Sequence, residues 1–340
     1  MTSTPSSDLI AIQGLKKYFP IEQGLLKKVV GHVKAVDDIN FSIRKSETFG
    51  LIGESGCGKT TLGRCVLRAI EPTSGSIVFR PGEEGQVEVT TMNKEELRRL
   101  RKDVQMIFQD PYSSLDPRMT VYDIISEPVY YGGLAKGKAL DERVKDIADK
   151  VGLNIAHLKR YPHAFSGGQR QRIGIARALV THPSFVVADE AVSALDVSIQ
   201  AQILNLMQKL QEELHLTYLF ISHDLSVVEH ISQRLAIMYV GKVMEFAPTK
   251  SLYAAPKHPY TEALLSAVPK PDPHRKMKRI ILQGEIPNPA NPPAGCYFHP
   301  RCQYAKDICQ QQVPELIEVE PDHYSACHFA EKLDLKGVVY

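Results

Sequence analysis

Residues 53–60, GESGCGKT, carry the most specific chemical signal in the sequence. Their spacing matches G-x-x-x-x-G-K-[ST], in which glycines let backbone N–H groups approach phosphate oxygens. In this pattern Lys59 reaches the β- and γ-phosphates of a nucleotide, and Thr60 offers a hydroxyl to Mg²⁺. We name residues 53–60 the phosphate-binding loop. The candidate nucleotide-binding residues here are Gly53, Glu54, Ser55, Gly56, Cys57, Gly58, Lys59, Thr60 and Thr61.

A second group of candidate residues ends the stretch FVVADE. Asp189 is expected to hold Mg²⁺ through water, as the acid of the second strand does in phosphate-loop enzymes. Glu190 follows it and is placed to orient or polarise a water that attacks phosphate. Together with the phosphate-binding loop, this pair predicts hydrolysis of a nucleoside triphosphate, with ATP and Mg²⁺ as the bound groups.

Short apolar stretches must position these residues. TFGLI precedes the loop and reads as a strand, and KTTLGRCVLRAI follows it with helical character. VQMIFQD, FVVADE and YLFISHD are apolar runs that end in polar residues, as buried parallel strands often do. The alternation of strand and helix predicts an α/β core with a parallel sheet over roughly residues 8–255.

Composition excludes several classes of protein. The 340 residues are 43% hydrophobic and carry a net charge of +2, so no strong basic field indicates a nucleic-acid partner. No apolar run reaches 18 residues, the length expected of a spanning helix. The stretch MTSTPSSDLI lacks the features of a secretory signal, so we expect a cytosolic protein, in which disulfides are rare.

Four cysteines cluster in the proline-rich part of the chain with the spacing C-x5-C-x6-C-x17-C. Structural zinc sites use closely paired cysteines, which this spacing lacks. Four thiolates in an irregular segment favour a [4Fe–4S] cluster, and such a centre would stabilise a segment with little apolar core. Zn²⁺, and free thiols or a redox disulfide, remain alternatives. The candidate ligands are Cys296, Cys302, Cys309 and Cys327, with His299 and His328 as alternatives.

The stretch FSGGQRQR, residues 165–172, narrows the family. Ser166 suits a helix N-cap, and Gly167 and Gly168 leave the first N–H groups of that helix uncovered. The stretch resembles the signature of the ATP-binding cassette family, the motor subunits of membrane transporters. The resemblance implies that Ser166, Gly167, Gly168 and Gln169 face the γ-phosphate bound by a second subunit.

Further motifs of that family occur in order along the chain. Gln109 resembles the glutamine that contacts Mg²⁺ and the attacking water, and SALD, which ends at Asp196, resembles the loop that touches the opposite subunit. His223 resembles the histidine that contacts the γ-phosphate. Phe19 lies where the family places an aromatic ring against adenine, and Tyr18 is the alternative residue for this contact. The resemblance therefore implies catalytic roles for Glu190, His223 and Gln109.

The family resemblance also implies an architecture. It predicts an ABC ATPase domain at residues 8–255, with a parallel core sheet, an antiparallel β subdomain and a helical insert at about residues 110–178. An irregular, Pro- and Cys-rich extension of the oligopeptide/dipeptide transporter type would follow at residues 256–340. Twelve of the 22 prolines lie between Pro256 and Pro321, which fits that extension.

The amino-acid sequences of several stretches indicate one branch of the family. FQDPYSSLDPRMTV, RYPHAFSGGQRQR and NPPAGCYFHPRC resemble oligopeptide and dipeptide importers, most closely the ATP-binding subunits of dipeptide permeases. The resemblance implies an ATP-hydrolysing motor at the cytoplasmic face of the inner membrane. Its implied partners are a second, similar ATPase in a heterodimer, two integral membrane permease subunits and, indirectly, a substrate-binding protein.

Other functions remain as alternatives. Nickel and glutathione importers share many of the same sequence motifs, so the chain could belong to either kind of importer. A soluble, non-transport ATPase of the family usually has a long coiled-coil insert or two cassettes in one chain, and neither is present in this sequence. A phosphate-loop kinase or GTPase would leave FSGGQRQR unexplained.

Overall fold

The computed structural model describes residues 8–24, 27–81, 85–268 and 279–338. This part of the chain forms two compact units. The first unit contains described residues of 8–10, 42–48 and 78–221, and the second contains those of 11–41, 49–77 and 222–338. Across the described ranges, no helix combines the length and the apolar character needed to cross a bilayer.

The elements are numbered here in chain order. The strands are β1 (Asp8–Gln23), β2 (Lys28–Arg44), β3 (Thr48–Ile52), β4 (Ser74–Phe79), β5 (Val87–Glu88), β6 (Val104–Ile107), β7 (Phe185–Asp189), β8 (Thr217–Ser222), β9 (Arg234–Tyr239), β10 (Lys242–Pro248), β11 (Ile317–Glu320) and β12 (His323–Ser325). The helices are α1 (Lys59–Val66), α2 (Lys94–Leu100), α3 (Val121–Tyr131), α4 (Lys138–Lys150), α5 (Gly167–Leu179), α6 (Val197–Leu214), α7 (Leu225–Ile231), α8 (Thr249–Ala254), α9 (Pro259–Leu265) and α10 (Asp307–Gln311).

The first unit has a parallel sheet at its core. β6 pairs with β7 and β7 pairs with β8, both in parallel. Every residue of β7 is buried, which is why its sequence is a continuous apolar run rather than an alternating one. The prediction of buried parallel strands is therefore confirmed for FVVADE and YLFISHD, whereas VQMIFQD forms a parallel strand that is only partly buried.

Helices α3, α4 and most of α5 occupy the range predicted as a helical insert. α3 begins with a capping box, in which Thr120 accepts from the Asp123 N–H and the Asp123 side chain accepts from the Thr120 N–H. α4 buries Leu140, Val144 and Ile147, which recur at helical spacing, while its charged residues are exposed or partly exposed.

The second unit combines parallel and antiparallel strands. β3 pairs in parallel with β9, and β9 pairs antiparallel with β10. β2, β1 and β4 are neighbours in that order in another sheet. The predicted α/β class with a parallel core sheet and antiparallel strands is confirmed, whereas the predicted boundary between residues 255 and 256 stays a prediction.

The C-terminal extension is more regular than its sequence indicates. β12 pairs antiparallel with β10, and β11 pairs with β12, so the extension adds two strands to the sheet of the second unit. A buried carboxylate holds this joint: Glu245 accepts from the backbone N–H groups of Lys257 and His258, and its Oε1 lies 2.7 Å from His323 Nε2. Glu245 is 0% exposed, so these bonds offset the free-energy cost of removing its carboxylate from water.

Candidate nucleotide-binding site

The phosphate-binding loop begins where β3 ends and leads into α1, as the sequence predicts. Its path requires glycine at two positions. A Cβ on Gly53 would come within 2.1 Å of the Met238 carbonyl oxygen, and one on Gly58 within 1.9 Å of the Ala35 carbonyl oxygen. Gly58 also has φ 105° and is the N-cap of α1, so no side chain covers the start of that helix.

Lys59 is the first residue of α1, and its side chain folds back over the loop. Its ammonium group donates to the carbonyl oxygens of Gly53 at 2.7 Å and of Glu54 at 3.1 Å. The residue is only 5% exposed. Loop N–H groups, the helix start and this ammonium group together offer positive charge, an arrangement that suits a di- or triphosphate.

The backbone and side chain of Glu54 are both held by residues that sequence reasoning did not select. Arg301 donates to the Glu54 carboxylate through both terminal nitrogens, and the Tyr260 hydroxyl accepts the Glu54 N–H at 3.2 Å. No local pattern reveals these partners, because both lie more than 200 positions away in the chain.

The two aromatic candidates for the adenine contact differ in their surroundings. The Tyr18 hydroxyl donates to Asp37 at 2.5 Å, and burial with this carboxylate beside it raises the Tyr18 pKa. Phe19 is 36% exposed, and the Lys17 ammonium lies 4.9 Å from its ring centre. Phe19 is therefore partly exposed with a cation over its ring, while Tyr18 is engaged through its hydroxyl.

In the first unit, the structure brings Gln109 and Glu190 together. Gln109 Nε2 donates to Glu190 Oε2 at 2.7 Å. Asp189 ends β7 and is 3% exposed, and Glu190 follows in a left-handed conformation with φ 48°. The Glu190 N–H donates to the Ile221 carbonyl at 3.0 Å, which helps to hold this unusual turn. The amide thus fixes one oxygen of a carboxylate at the end of a buried strand.

Helix α5 begins at Ser166, as predicted. Ser166 is the N-cap and shares a capping box with Gln169, whose side chain accepts from the Ser166 N–H at 3.0 Å. A Cβ on Gly168 would come within 2.6 Å of Ile199 Cγ2, so α5 approaches α6 closely at this point. Gly167 and Gly168 leave the first turn of α5 without bulky side chains, which lets its N–H groups meet an anion.

Asp196 and His223 occupy two further helix starts. Asp196 caps α6: it accepts from Ser198 Oγ at 2.8 Å and from the Ile199 N–H at 3.1 Å, and these bonds lower its pKa. His223 belongs to the second unit and lies between the end of β8 and the start of α7. Its side chain is exposed.

The four C-terminal cysteines line one cavity of about 20 Å³, together with His299 and His328. Burial raises the pKa of the Cys302 thiol to about 11 and that of Cys327 to about 12, and the other cysteines of the cavity contribute to both shifts. In the described ranges, no group of three or more His, Cys, Asp or Glu has the arrangement of a metal site. All four thiols line this cavity, but the predicted [4Fe–4S] cluster is not supported by the described residues. Cys57 and Cys65 are buried elsewhere.

Comparison with known proteins places these features in context. Residues 36–193 match the family model described as ABC transporter, and residues 244–309 match that of the oligopeptide/dipeptide transporter, C-terminal region. The chain is 53% identical to the oligopeptide transport ATP-binding protein AppF of Bacillus subtilis, covering 96% of this chain and 99% of the relative. It is 50% identical to the probable peptide ABC transporter ATP-binding protein y4tS of Sinorhizobium fredii, covering 95% and 90%.

A solved structure shares the fold. It is a dimeric, post-hydrolysis state of the ATP-binding cassette MJ0796 bound to ADP and phosphate. The TM-score is 0.61 at 24% identity, covering 71% of this chain and 98% of the other. At this identity the likeness supports the fold alone.

Proposed function

The chain belongs to the ATP-binding proteins of the ABC transporter family, and from this premise we propose that it is the ATP-hydrolysing motor of a membrane importer for di- or oligopeptides. The observation that best supports ATP hydrolysis is the hydrogen bond between Gln109 and Glu190. It fixes the Glu190 carboxylate at a strand end next to Asp189. The match of residues 244–309 to a peptide-transporter region supports the cargo class.

In the proposed reaction, the phosphate-binding loop holds ATP. Backbone N–H groups of the loop and the Lys59 ammonium bind the phosphates, and Phe19 stacks on the adenine. Thr60, Gln109 and Asp189 would hold Mg²⁺, since a hydroxyl, an amide oxygen and a carboxylate are the oxygen donors this ion prefers. When bound, Mg²⁺ neutralises negative charge on the phosphates.

Glu190 acts on the attacking water. Its carboxylate accepts a proton from the water, or orients it, while Gln109 holds one carboxylate oxygen in place. His223 contacts the γ-phosphate and stabilises charge there. Hydrolysis then yields ADP and phosphate, and the proton taken by Glu190 returns to solvent.

We further propose that the signature helix α5 binds the ATP held by a second ATPase subunit. Its uncovered first turn, with Ser166, Gly167, Gly168 and Gln169, is an anion-binding end. Asp196 lies on the loop that contacts the opposite subunit. ATP shared between two subunits favours the closed pair, and hydrolysis releases it, which is a population shift driven by differential binding.

The proposed partners are a second, similar ATPase in a heterodimer, two integral membrane permease subunits and, indirectly, a substrate-binding protein. The chain would act as a peripheral subunit on the cytoplasmic face of the inner membrane. A nickel or glutathione importer would use the same motor, and a soluble ATPase of the family would use no permease.

Affinity purification of the tagged chain from membranes tests this proposal. We expect two permease subunits and a second ATPase to co-purify, and deletion of the gene to abolish uptake of labelled dipeptides. A Lys59→Ala chain should restore the complex but not the uptake. Recovery of the chain without membrane subunits, or loss of nickel or glutathione uptake with peptide uptake intact, would contradict it.

For the C-terminal thiols, we propose a [4Fe–4S] cluster with Cys296, Cys302, Cys309 and Cys327 as ligands. Their convergence on one cavity supports this proposal. Protein purified without oxygen should contain about four iron and four sulfide per chain, and Cys302→Ser should lose most of the iron. One zinc per chain, or thiols that all react with an alkylating reagent in metal-free protein, would overturn it.

A further inference from the structure

The Cys296–Cys302 segment, CYFHPRC, reaches beyond the thiol cavity to the phosphate-binding loop. Arg301 Nη1 donates to Glu54 Oε2 at 2.8 Å, and Nη2 donates to Glu54 Oε1 at 3.1 Å. A two-bond pair between a guanidinium and a carboxylate fixes orientation as well as distance. Both residues belong to the second unit.

This ion pair is anchored to the sheet. The Arg301 side chain is 8% exposed, and its Nη1 also donates to the Tyr239 hydroxyl at 3.3 Å. Tyr239 is fully buried at the end of β9, the strand that pairs with β3 in front of the loop. The bond to Glu54 raises the Arg301 pKa above its usual value, so the guanidinium stays charged. The Glu54 side chain is 24% exposed, so this doubly bonded pair is partly shielded from the solvent screening that weakens surface pairs.

The main chain of Glu54 has a second support from the same region. The Tyr260 hydroxyl accepts the Glu54 N–H, and Phe298 of the Cys296–Cys302 segment packs against Tyr260, with ring centres 5.2 Å apart. Phe298 also packs edge-on against Tyr239 at 5.4 Å. The side chain and the backbone of one loop residue are therefore held by a single aromatic and guanidinium cluster.

The Glu54 backbone in turn contacts Lys59, the residue proposed to bind the phosphates. The Glu54 carbonyl accepts from Lys59 Nζ at 3.1 Å. Two residues later, Gly56 has φ 79°, and among the described residues a Cβ there would meet nothing within 4 Å. The exposed turn at Ser55 and Gly56 thus has little packing of its own, and its glycine makes it costly to order on binding, whereas Cys57 and Lys59 are buried.

We infer that Arg301 is a positioning residue for ATP: through Glu54 it holds the phosphate-binding loop in its binding shape. This inference rests on the proposed function, in which that loop binds ATP. A loop ordered in advance binds its ligand without the full entropic cost of ordering, so loss of the anchor should weaken binding more than it slows turnover.

Titration of the full chain with a fluorescent, non-hydrolysable ATP analogue tests the inference. Arg301→Ala should raise the Kd about tenfold, and Glu54→Gln should have a similar effect. The double variant should be no weaker than the worse single variant, because both remove one interaction. Arg301→Lys keeps the charge but not the two-bond geometry, and should lie in between. In steady-state kinetics, KM for ATP should rise while kcat changes by less than about twofold.

Lys257→Ala is the matched control, because it breaks another ion pair of the second unit, Lys257 with Glu320 at 2.6 Å, which involves neither Arg301 nor Glu54. Its Kd should equal that of the unmodified chain. Failure of the unmodified chain to bind the analogue would reject the proposed function itself. If it binds and the Arg301 and Glu54 variants bind equally well, or if their effects add in full, the inference is wrong. If Arg301→Ala does not fold, Arg301→Lys and Glu54→Gln decide it.

Discussion

Lys59 is the residue on which phosphate binding depends most directly. Its ammonium donates to the carbonyl oxygens of Gly53 and Glu54 and, more weakly, to Cys57 Sγ, all groups without net charge. The ammonium charge therefore stays available to an anion. Because the residue is buried, that charge acts in a setting where water screens it less than on the surface.

Replacing Lys59 by alanine should weaken ATP binding by on the order of 10² or more, since it removes charge-assisted hydrogen bonds to phosphate. Equilibrium binding of a fluorescent ATP analogue measures this. Lys209→Ala, which removes a surface ammonium of α6, is the control and should leave the affinity unchanged. Near-normal affinity in Lys59→Ala would remove the loop from the nucleotide site.

The neighbouring aromatics allow a paired test. Phe19→Ala should weaken ATP binding about tenfold, because base stacking on an aromatic ring contributes roughly 1–3 kcal/mol. Inorganic triphosphate, which has no base, should compete equally well for both chains. Tyr18→Phe should keep ATP affinity and cost about 1 kcal/mol of stability through its lost bond to Asp37. The opposite pattern would make Tyr18 the adenine contact.

Residues of the site were predictable from the sequence only where they form contiguous motifs. The phosphate-binding loop and the N-cap Ser166 were found because glycine spacing and capping are local rules. Arg301 was not, because its role arises from a contact with Glu54 across 247 positions, and a lone arginine between proline and cysteine has no local signature. The roles of Gln109, His223 and Asp196 stay predictions.

At the scale of elements, the start of α5 is shaped by its approach to α6. Gly168 lies against Ile199, whereas Gly174, later in the same helix, faces open space among the described residues. Close packing therefore requires glycine at position 168, whereas no packing contact requires it at position 174.

Alanine at each position should separate these two reasons. Gly174→Ala should raise the free energy of unfolding by roughly 0.5–1 kcal/mol, as expected for glycine in a helix interior. Gly168→Ala should lower it by about 1–3 kcal/mol, because its Cβ would lie 2.6 Å from Ile199 Cγ2. Denaturant unfolding measures both, and equal effects of the two changes would contradict the close α5–α6 packing.

The fully buried parallel strands were predictable from the sequence, and the short strand β12 was not. FVVADE reads as a parallel strand because burial on both faces demands continuous apolar residues. β12 has only three residues, His323–Ser325, and two of them are polar and buried, so no alternation is visible. Its place is set by pairing with β10 and by the buried Glu245, which are contacts between distant parts of the chain.

At the scale of the whole molecule, each of the two units carries part of the proposed machinery. The second unit holds the phosphate-binding loop, His223 and the thiol cavity, and the first unit holds Glu190, Gln109 and the signature helix. The central claim is that this set of residues hydrolyses ATP and that hydrolysis reopens a closed pair of ATPase subunits.

Substitution of Glu190 by glutamine tests that claim most directly. The change keeps the size of the side chain but removes the basic carboxylate, while Lys59 and the helix α5 start still bind phosphate. In the full complex, the ATPase rate should fall by on the order of 10² or more, ATP affinity should stay nearly constant, and a closed ATPase pair should accumulate with ATP, as measured by cross-linking. Rapid hydrolysis by the Glu190→Gln protein, or no ATP-trapped pair, would contradict the account.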